Sequence, residues 1–111
     1  MQELRQHVRL KERLSVKFRL RNSILGASSF SEDISEGGMR LSVFQNFEPG
    51  ILLDLSFAVP EKAGSIATTG KIIWHKQIEN CRYPFAVGLK FVDIDSDDRC
   101  IISQYVRNTK K

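Results

Sequence analysis

The residues of this chain that can do chemistry fall into two short runs. The first is Arg5-Gln6-His7-Val8-Arg9, with two arginines four residues apart. The second is Asp33-Ile34-Ser35-Glu36-Gly37-Gly38, an Asp-x-Ser-x-x-Gly pattern. Nine arginines in a chain of this length give roughly 0.7 such pairs by chance. Arg9 and Arg13 repeat the spacing, so the pair alone says little. The second pattern has a chance expectation of about 0.04 and is the more specific. As local structure it reads as a strand end, an Asx or Ser turn and a glycine supplying positive φ. Such a turn also points short polar groups at one spot. The arginine pair lies where the charge is unbalanced. Through Arg21 seven basic residues face two acidic ones, while the other ninety residues carry ten and eleven. The excess behind the net charge of +4 therefore belongs to the N-terminal fifth, which suits an anionic partner.

Other chemistry is thin. His7 lies in the basic segment and His75 follows Trp74, and neither has a neighbouring Ser or Cys in a nucleophile motif. The cluster Asp93, Asp95, Asp97 and Asp98 lacks the glycine and the terminal Glu of a calcium loop, and helix capping explains it. No phosphate-cradling glycine loop precedes a helix. Cys81 and Cys100 fit neither a disulfide framework nor a zinc site, so two reduced thiols in a cytoplasmic protein are expected. No apolar run approaches the ~18 residues of a membrane span, and the first residues lack the apolar stretch of a secretory signal. The expectation is a binding protein rather than an enzyme, with no metal or cofactor.

The elements that must position these residues have a period of two. Leu14 to Leu20, Met39 to Val43, Leu53 to Val59 and Phe85 to Phe91 alternate apolar and polar side chains. Ile66 to His75 is rich in Thr and Ile, and Ser28–Ile34 is a further strand, which makes six. Asn22–Phe30 is weak strand material and its pairing is left open. Turns at Glu48-Pro49-Gly50, Pro60 to Gly64 and Glu79-Asn80-Cys81 separate the strands. Strands with one apolar face bury it on each other, so a small antiparallel barrel or sandwich follows. The period changes at the end, where Asp95 is a candidate N-cap and Ile101, Ile102, Tyr105 and Val106 recur at helical spacing. The layout is a basic arm over 1–12, a barrel over 13–94 and a helix over 95–108. The arm has no strong strand pattern and is expected to be mobile without a ligand.

An arginine pair, then Asp-x-Ser-x-x-Gly 24 residues after Arg9, in a six-strand pattern closed by a helix, resembles the PilZ domain, the bacterial receptor for cyclic di-GMP. The likeness continues in Glu48-Pro49-Gly50, Ile72-Ile73-Trp74 and Val87-Gly88-Leu89-Lys90-Phe91. It implies a mainly β, six-stranded antiparallel PilZ-type barrel with a flexible N-terminal arm and one C-terminal helix. It implies a ligand site of Arg5, Arg9, Asp33, Ser35 and Gly38, with Leu4, Gln6, Gly37 and Trp74 as further contacts. The implied roles are chemically sound. An arginine fork suits a phosphate or the O6/N7 edge of guanine, and an ionised Asp33 accepts from the guanine N1–H and N2–H₂. Ser35 supplies a donor and acceptor beside it, and Gly38 allows close backbone approach. Arg5 and Arg9 are preferred to Arg9 and Arg13 because Arg13 abuts the strand from Leu14. Trp74 is either a core or half-core strand aromatic or a ligand contact. Leu4, where some relatives carry Arg and take up a stacked ligand pair, implies one ligand per domain.

The resemblance thus implies a cytoplasmic, non-enzymatic cyclic di-GMP receptor. Ligand binding would tie the arm onto the barrel and change the surface offered to a partner protein in motility, biofilm, exopolysaccharide or virulence control. Two rivals stand beside it. A small basic barrel binding single-stranded nucleic acid is disfavoured because the first 21 residues hold one aromatic, Phe18, on an apolar strand face. The other is a PilZ-like interaction scaffold without ligand, against which the intact motifs argue.

Overall fold

Short strands with one apolar face cannot bury it singly, and here they bury it by closing on one another. The computed structural model describes residues 10–11, 13–21, 23–79 and 82–109. Six strands, β1 (Ser15–Leu20), β2 (Gly26–Ile34), β3 (Gly38–Val43), β4 (Leu52–Ala58), β5 (Ser65–Gln77) and β6 (Phe85–Asp93), precede one helix, α1 (Ser96–Thr109). They form a closed barrel in the order β1-β2-β3-β6-β5-β4, with every neighbouring pair antiparallel. Closure removes the free edges that would otherwise template aggregation. The six strands and the terminal helix are those the alternation predicts.

Alternation decides the core. Val16 and Phe18, Met39, Leu41 and Val43, Leu53, Leu55 and Phe57, and Val87, Leu89 and Phe91 are buried, and their polar neighbours turn outward. Phe57 and Phe91 stack inside with centroids 6.0 Å apart. Each such side chain contributes about 1.5–3 kcal/mol by leaving water. Helix α1 adds Ile102, Tyr105 and Val106 to the same core. Its start is set by Asp95, whose Oδ1 accepts the Asp97 N–H at 3.3 Å. Lys62 Nζ donates to Asp98 Oδ1 at 2.7 Å and ties the helix to the β4–β5 loop.

Two local expectations change. The weak stretch before Phe30 pairs with β1 in unbroken register, from Arg19↔Gly26 to Ser15↔Phe30. Barrel closure supplies β1 with a backbone partner there whatever the side-chain propensity. The mobility expected of the arm does not extend to Leu10, which is buried and exchanges two backbone hydrogen bonds with Ile34, at 2.8 and 2.9 Å. Among the described residues no helix is long and apolar enough to cross a membrane.

Candidate functional site

A strict period of two would send both Asp33 and Trp74 into the core. On β2, Ser31 faces inward, so Asp33 would follow it; on β5, Ile66, Thr68 and Ile72 face inward, so Trp74 would follow them. Two β-bulges reverse this. The β2–β3 register passes from Ser31↔Leu41 to Asp33↔Arg40, with Glu32 as the extra residue. The β5–β6 register passes from Ile72↔Leu89 to Trp74↔Gly88, with Ile73 as the extra residue. Each bulge moves the next side chain to the outer face. Since Arg40 pairs with Gly88, the result is one cross-strand row on the outer wall: Asp33, Arg40, Gly88, Trp74. Trp74 is therefore on the outer wall rather than in the core; the residue is 39% exposed. It lies on Gly88, where an added Cβ would overlap the indole and come within 2.7 Å of Cδ1. Gly88 is a seat for the ring.

The turn after Asp33 is built by its own motif. Ser35 N–H donates to the Gly38 carbonyl at 2.8 Å. Its hydroxyl accepts the Gly37 N–H at 3.2 Å and donates to the Gly38 carbonyl at 3.4 Å. Ser35 is 2% exposed, so in this geometry its hydroxyl holds the turn. Gly37 offers its carbonyl to Phe91 N–H at 2.9 Å, which locks the turn onto β6. Gly38 serves close approach rather than positive φ. An added Cβ would overlap the Leu89 carbonyl oxygen and stand 3.2 Å from Lys90 Cα. The positive-φ glycines among the described residues are Gly50 and Gly64, in the turns before β4 and β5.

Leu10 pairs with Ile34, the residue between Asp33 and Ser35, so the chain just after Arg9 is fixed beside this turn. Leu4, Arg5, Gln6 and Arg9 themselves lie outside the described residues, as do His7 and Cys81. Cys100 is exposed and free.

Next to the row lies a cleft of about 380 Å³ that includes Arg13, Arg40, Lys76, Arg82, Glu32 and Trp74 in its walls. Ser42 and Ala86, small residues of the neighbouring row, also line it. Among the described residues none of these four cations has a carboxylate at ion-pairing distance. Aromatics rim the cleft: Arg13 stacks over Phe30 at 4.8 Å, and Tyr83 meets Phe30 and Phe44 at 6.3 and 4.6 Å between centroids. The arrangement can hold an anion beside a planar ring, with Asp33 as an acceptor in the same row.

Sequence reasoning missed Gly88, Glu32, Arg40, Lys76 and Arg82, and it weighed Arg13 only as the second member of an alternative arginine pair. For Gly88 a signal was present, since a glycine inside a strand pattern marks a close approach. The consecutive apolar pair Ile73-Trp74 and the consecutive acidic pair Glu32-Asp33 were the traces of the two bulges. Other chemistry is absorbed structurally: His75 Nδ1 lies 2.6 Å from Asn46 Oδ1, and Asp95 and Asp98 serve α1. Among the described residues no group of three His, Cys, Asp or Glu side chains gathers as a metal site.

Comparison with known proteins bears on the fold and the family. No curated protein sequence matches the chain significantly. The Bacillus subtilis inhibitor of motility MotI/DgrA superposes with a TM-score of 0.84 at 21% identity, over 97% of this chain and 52% of that one. A MrkH–c-di-GMP complex from K. pneumonia gives 0.76 at 16% identity, over 97% and 53%. The PilZ domain of Escherichia coli YcgR with c-di-GMP gives 0.71 at 10% identity, over 97% and 92%. The chain thus spans about half the length of MotI and MrkH, and at these identities the likeness is one of fold. The family is carried by sequence: the model of the PilZ domain matches residues 3–108, nearly the whole length, and the chain belongs to the PilZ domain family.

Proposed function

We propose that this chain is a non-enzymatic receptor for cyclic di-GMP that acts by altering the surface it offers to a partner protein. The observation that carries the reading is the row Asp33, Arg40, Gly88, Trp74, assembled by two bulges beside the anchored Leu10. Family membership and the ligand in the YcgR and MrkH structures support it. Asp33 accepts from the donor edge of one guanine, and the open face of Trp74 stacks on a base. Arg5 and Arg9 close over the ligand from the arm, forking onto phosphate or the guanine O6/N7 edge. The four cations of the cleft, without ion-pair partners among the described residues, favour a dianionic ligand. Residues 1–9, tied down by their arginines, then form a new surface at the rim where Leu10 is already fixed.

The test is a set of titrations with cyclic di-GMP, with GTP and a short oligonucleotide as controls. The oligonucleotide is included because the cleft sets aromatics among cations, as single-strand binders do. Cyclic di-GMP binds with Kd in the micromolar range or tighter, about −8 kcal/mol, and both controls bind much more weakly. Arg9→Lys loses a forked contact worth roughly 1–3 kcal/mol, whereas Lys11→Ala, outside the motif, loses less. Asp33→Ala weakens binding although it makes the site more positive. No heat at ~100 μM ligand overturns the receptor reading. If Lys11→Ala does most damage and Asp33→Ala binds more tightly, the arm is a simple electrostatic tether.

A further inference from the structure

Glu32 is the extra residue of the β2 bulge, and the reading above gives it no task. The bulge sends two successive side chains to the outer face where a regular strand sends one. Glu32 is fixed there: Ser42 Oγ donates to its Oε2 at 2.6 Å, and the side chain lines the cleft with Arg13, Arg40, Lys76 and Arg82. None of these cations is at ion-pairing distance from it. A carboxylate offers about four acceptor positions, and the serine uses one. An anion held in a cationic cleft weakens phosphate binding unless it meets a donor on the ligand.

Cyclic di-GMP has two guanines, and each carries the adjacent N1–H and N2–H₂ donors that match a carboxylate. Asp33 stands in the row of Arg40, while the Glu32 carboxylate is held at Ser42, two residues along β3. Two residues of strand span about 6.7 Å. Two parallel bases with an arginine guanidinium of the cleft between them would lie at nearly the same spacing, at the ~3.4 Å per layer of stacked nucleic acid. We propose that Glu32 is a specificity-determining residue that reads the donor edge of the second guanine, so that the site demands guanine twice. The inference rests on the cyclic di-GMP reading and deepens it.

The experiment measures binding of cyclic di-GMP, the mixed cyclic GMP–AMP and cyclic di-AMP to the wild type, Glu32→Gln and Ser42→Ala. Folding of each variant is checked by circular dichroism. The wild-type cyclic di-GMP titration comes first: no binding at ~100 μM means the receptor reading has failed, and the role of Glu32 with it. Given binding, the mixed ligand, with one adenine lacking the donor pair, binds the wild type at least about tenfold more weakly than cyclic di-GMP. Cyclic di-AMP binds more weakly still. Glu32→Gln loses about tenfold or more for cyclic di-GMP but changes little for the mixed ligand, so discrimination between them collapses. Ser42→Ala, which frees the carboxylate from its anchor, moves the ratio the same way by less. If the wild type binds both ligands equally, the site reads one guanine and the proposal is wrong. It is equally wrong if Glu32→Gln binds cyclic di-GMP as tightly as the wild type, or more tightly, with the ratio unchanged; Glu32 is then only a charge in the cleft.

Discussion

The two sides of the barrel wall handle regularity and charge in opposite ways. On the side of β1 and β4, the pairs β1–β2, β1–β4 and β4–β5 run in unbroken register. There the one carboxylate of β4, Asp54, takes both Arg19 at 3.6 Å and Arg21 at 3.4 Å. On the side of β2, β3, β6 and β5, the register shifts three times, once between β2 and β3 and twice between β5 and β6, and four cations line a cleft without ion-pair partners among the described residues. Strand β5 belongs to both sides, regular against β4 and bulged against β6. The regular side closes the fold, and the irregular side carries chemistry that the core does not need. If this division is real, substitutions on the two sides separate stability from binding.

The largest effect is expected where the fold and the motif turn share a constraint. Gly38→Ala drives a Cβ into the Leu89 carbonyl oxygen, and backbone cannot yield as a flexible side chain can. Strand β3 must lift from β6, with the motif turn on top of it. The expected cost is about 3 kcal/mol of stability together with loss of cyclic di-GMP binding. Urea denaturation and calorimetry read the two. A variant as stable as the wild type would show that the β3–β6 contact relaxes freely, and the case for this glycine would fall.

How much of this was legible follows from what each feature does to the pattern. The six strands were readable because Val16 and Phe18, or Leu53, Leu55 and Phe57, keep strict alternation against polar neighbours. The Asp33–Gly38 turn was readable because its residue types are scarce at that spacing. The site was only half readable, because it is assembled by breaking the rule that makes strands visible. A bulge adds one residue and reverses the parity of everything after it, so the pattern left Trp74 between core, half-core and ligand contact until the register placed it on the outer wall. Gly38 read as a residue for positive φ or for close approach, and what it approaches is β6, just over fifty residues further on. The cleft joins Arg13, Arg40, Lys76 and Arg82 from four separate stretches of chain, which no local pattern connects.

The next effect should appear in binding alone. Trp74→Ala removes a stacking surface worth about 1–3 kcal/mol, so cyclic di-GMP affinity falls roughly five- to hundred-fold. Stability should change by less than about 1 kcal/mol, since the ring is on the outer wall and leaves no cavity in the core. Gly88→Ala approaches the same result from beneath. Its new Cβ occupies the seat of the indole, and the ring can swing away into solvent. The fold is kept, affinity drops and the fluorescence of Trp74, the single tryptophan, shifts. Equal loss of stability and binding in both variants would mean that the outer ring is part of the structural wall after all.

The smallest effect tests the other side. Asp54 accepts weak, partly exposed contacts from Arg19 and Arg21, whose side chains are about half in water. Such pairs are worth only about 0.2–1 kcal/mol and are screened by salt. In Asp54→Asn an acceptor oxygen remains, and Arg21 Nη2 keeps its 2.6 Å bond to Thr69 Oγ1. The expected destabilisation therefore lies at the low end of that range and vanishes near ~1 M salt, where the Debye length is about 3 Å. Cyclic di-GMP affinity should stay within about twofold, because Asp54 lies outside the cationic cleft. Arg40→Ala is the matched variant on the irregular side: it breaks no ion pair among the described residues, so stability holds. It removes a cation from the ligand row, so affinity falls by roughly 1–3 kcal/mol, the worth of one good forked contact. Melting curves at low and high salt, with titrations on both variants, decide the matter. Should Asp54→Asn weaken ligand binding as much as Arg40→Ala, charge on the two sides is not partitioned, and the barrel responds to its ligand as one electrostatic body.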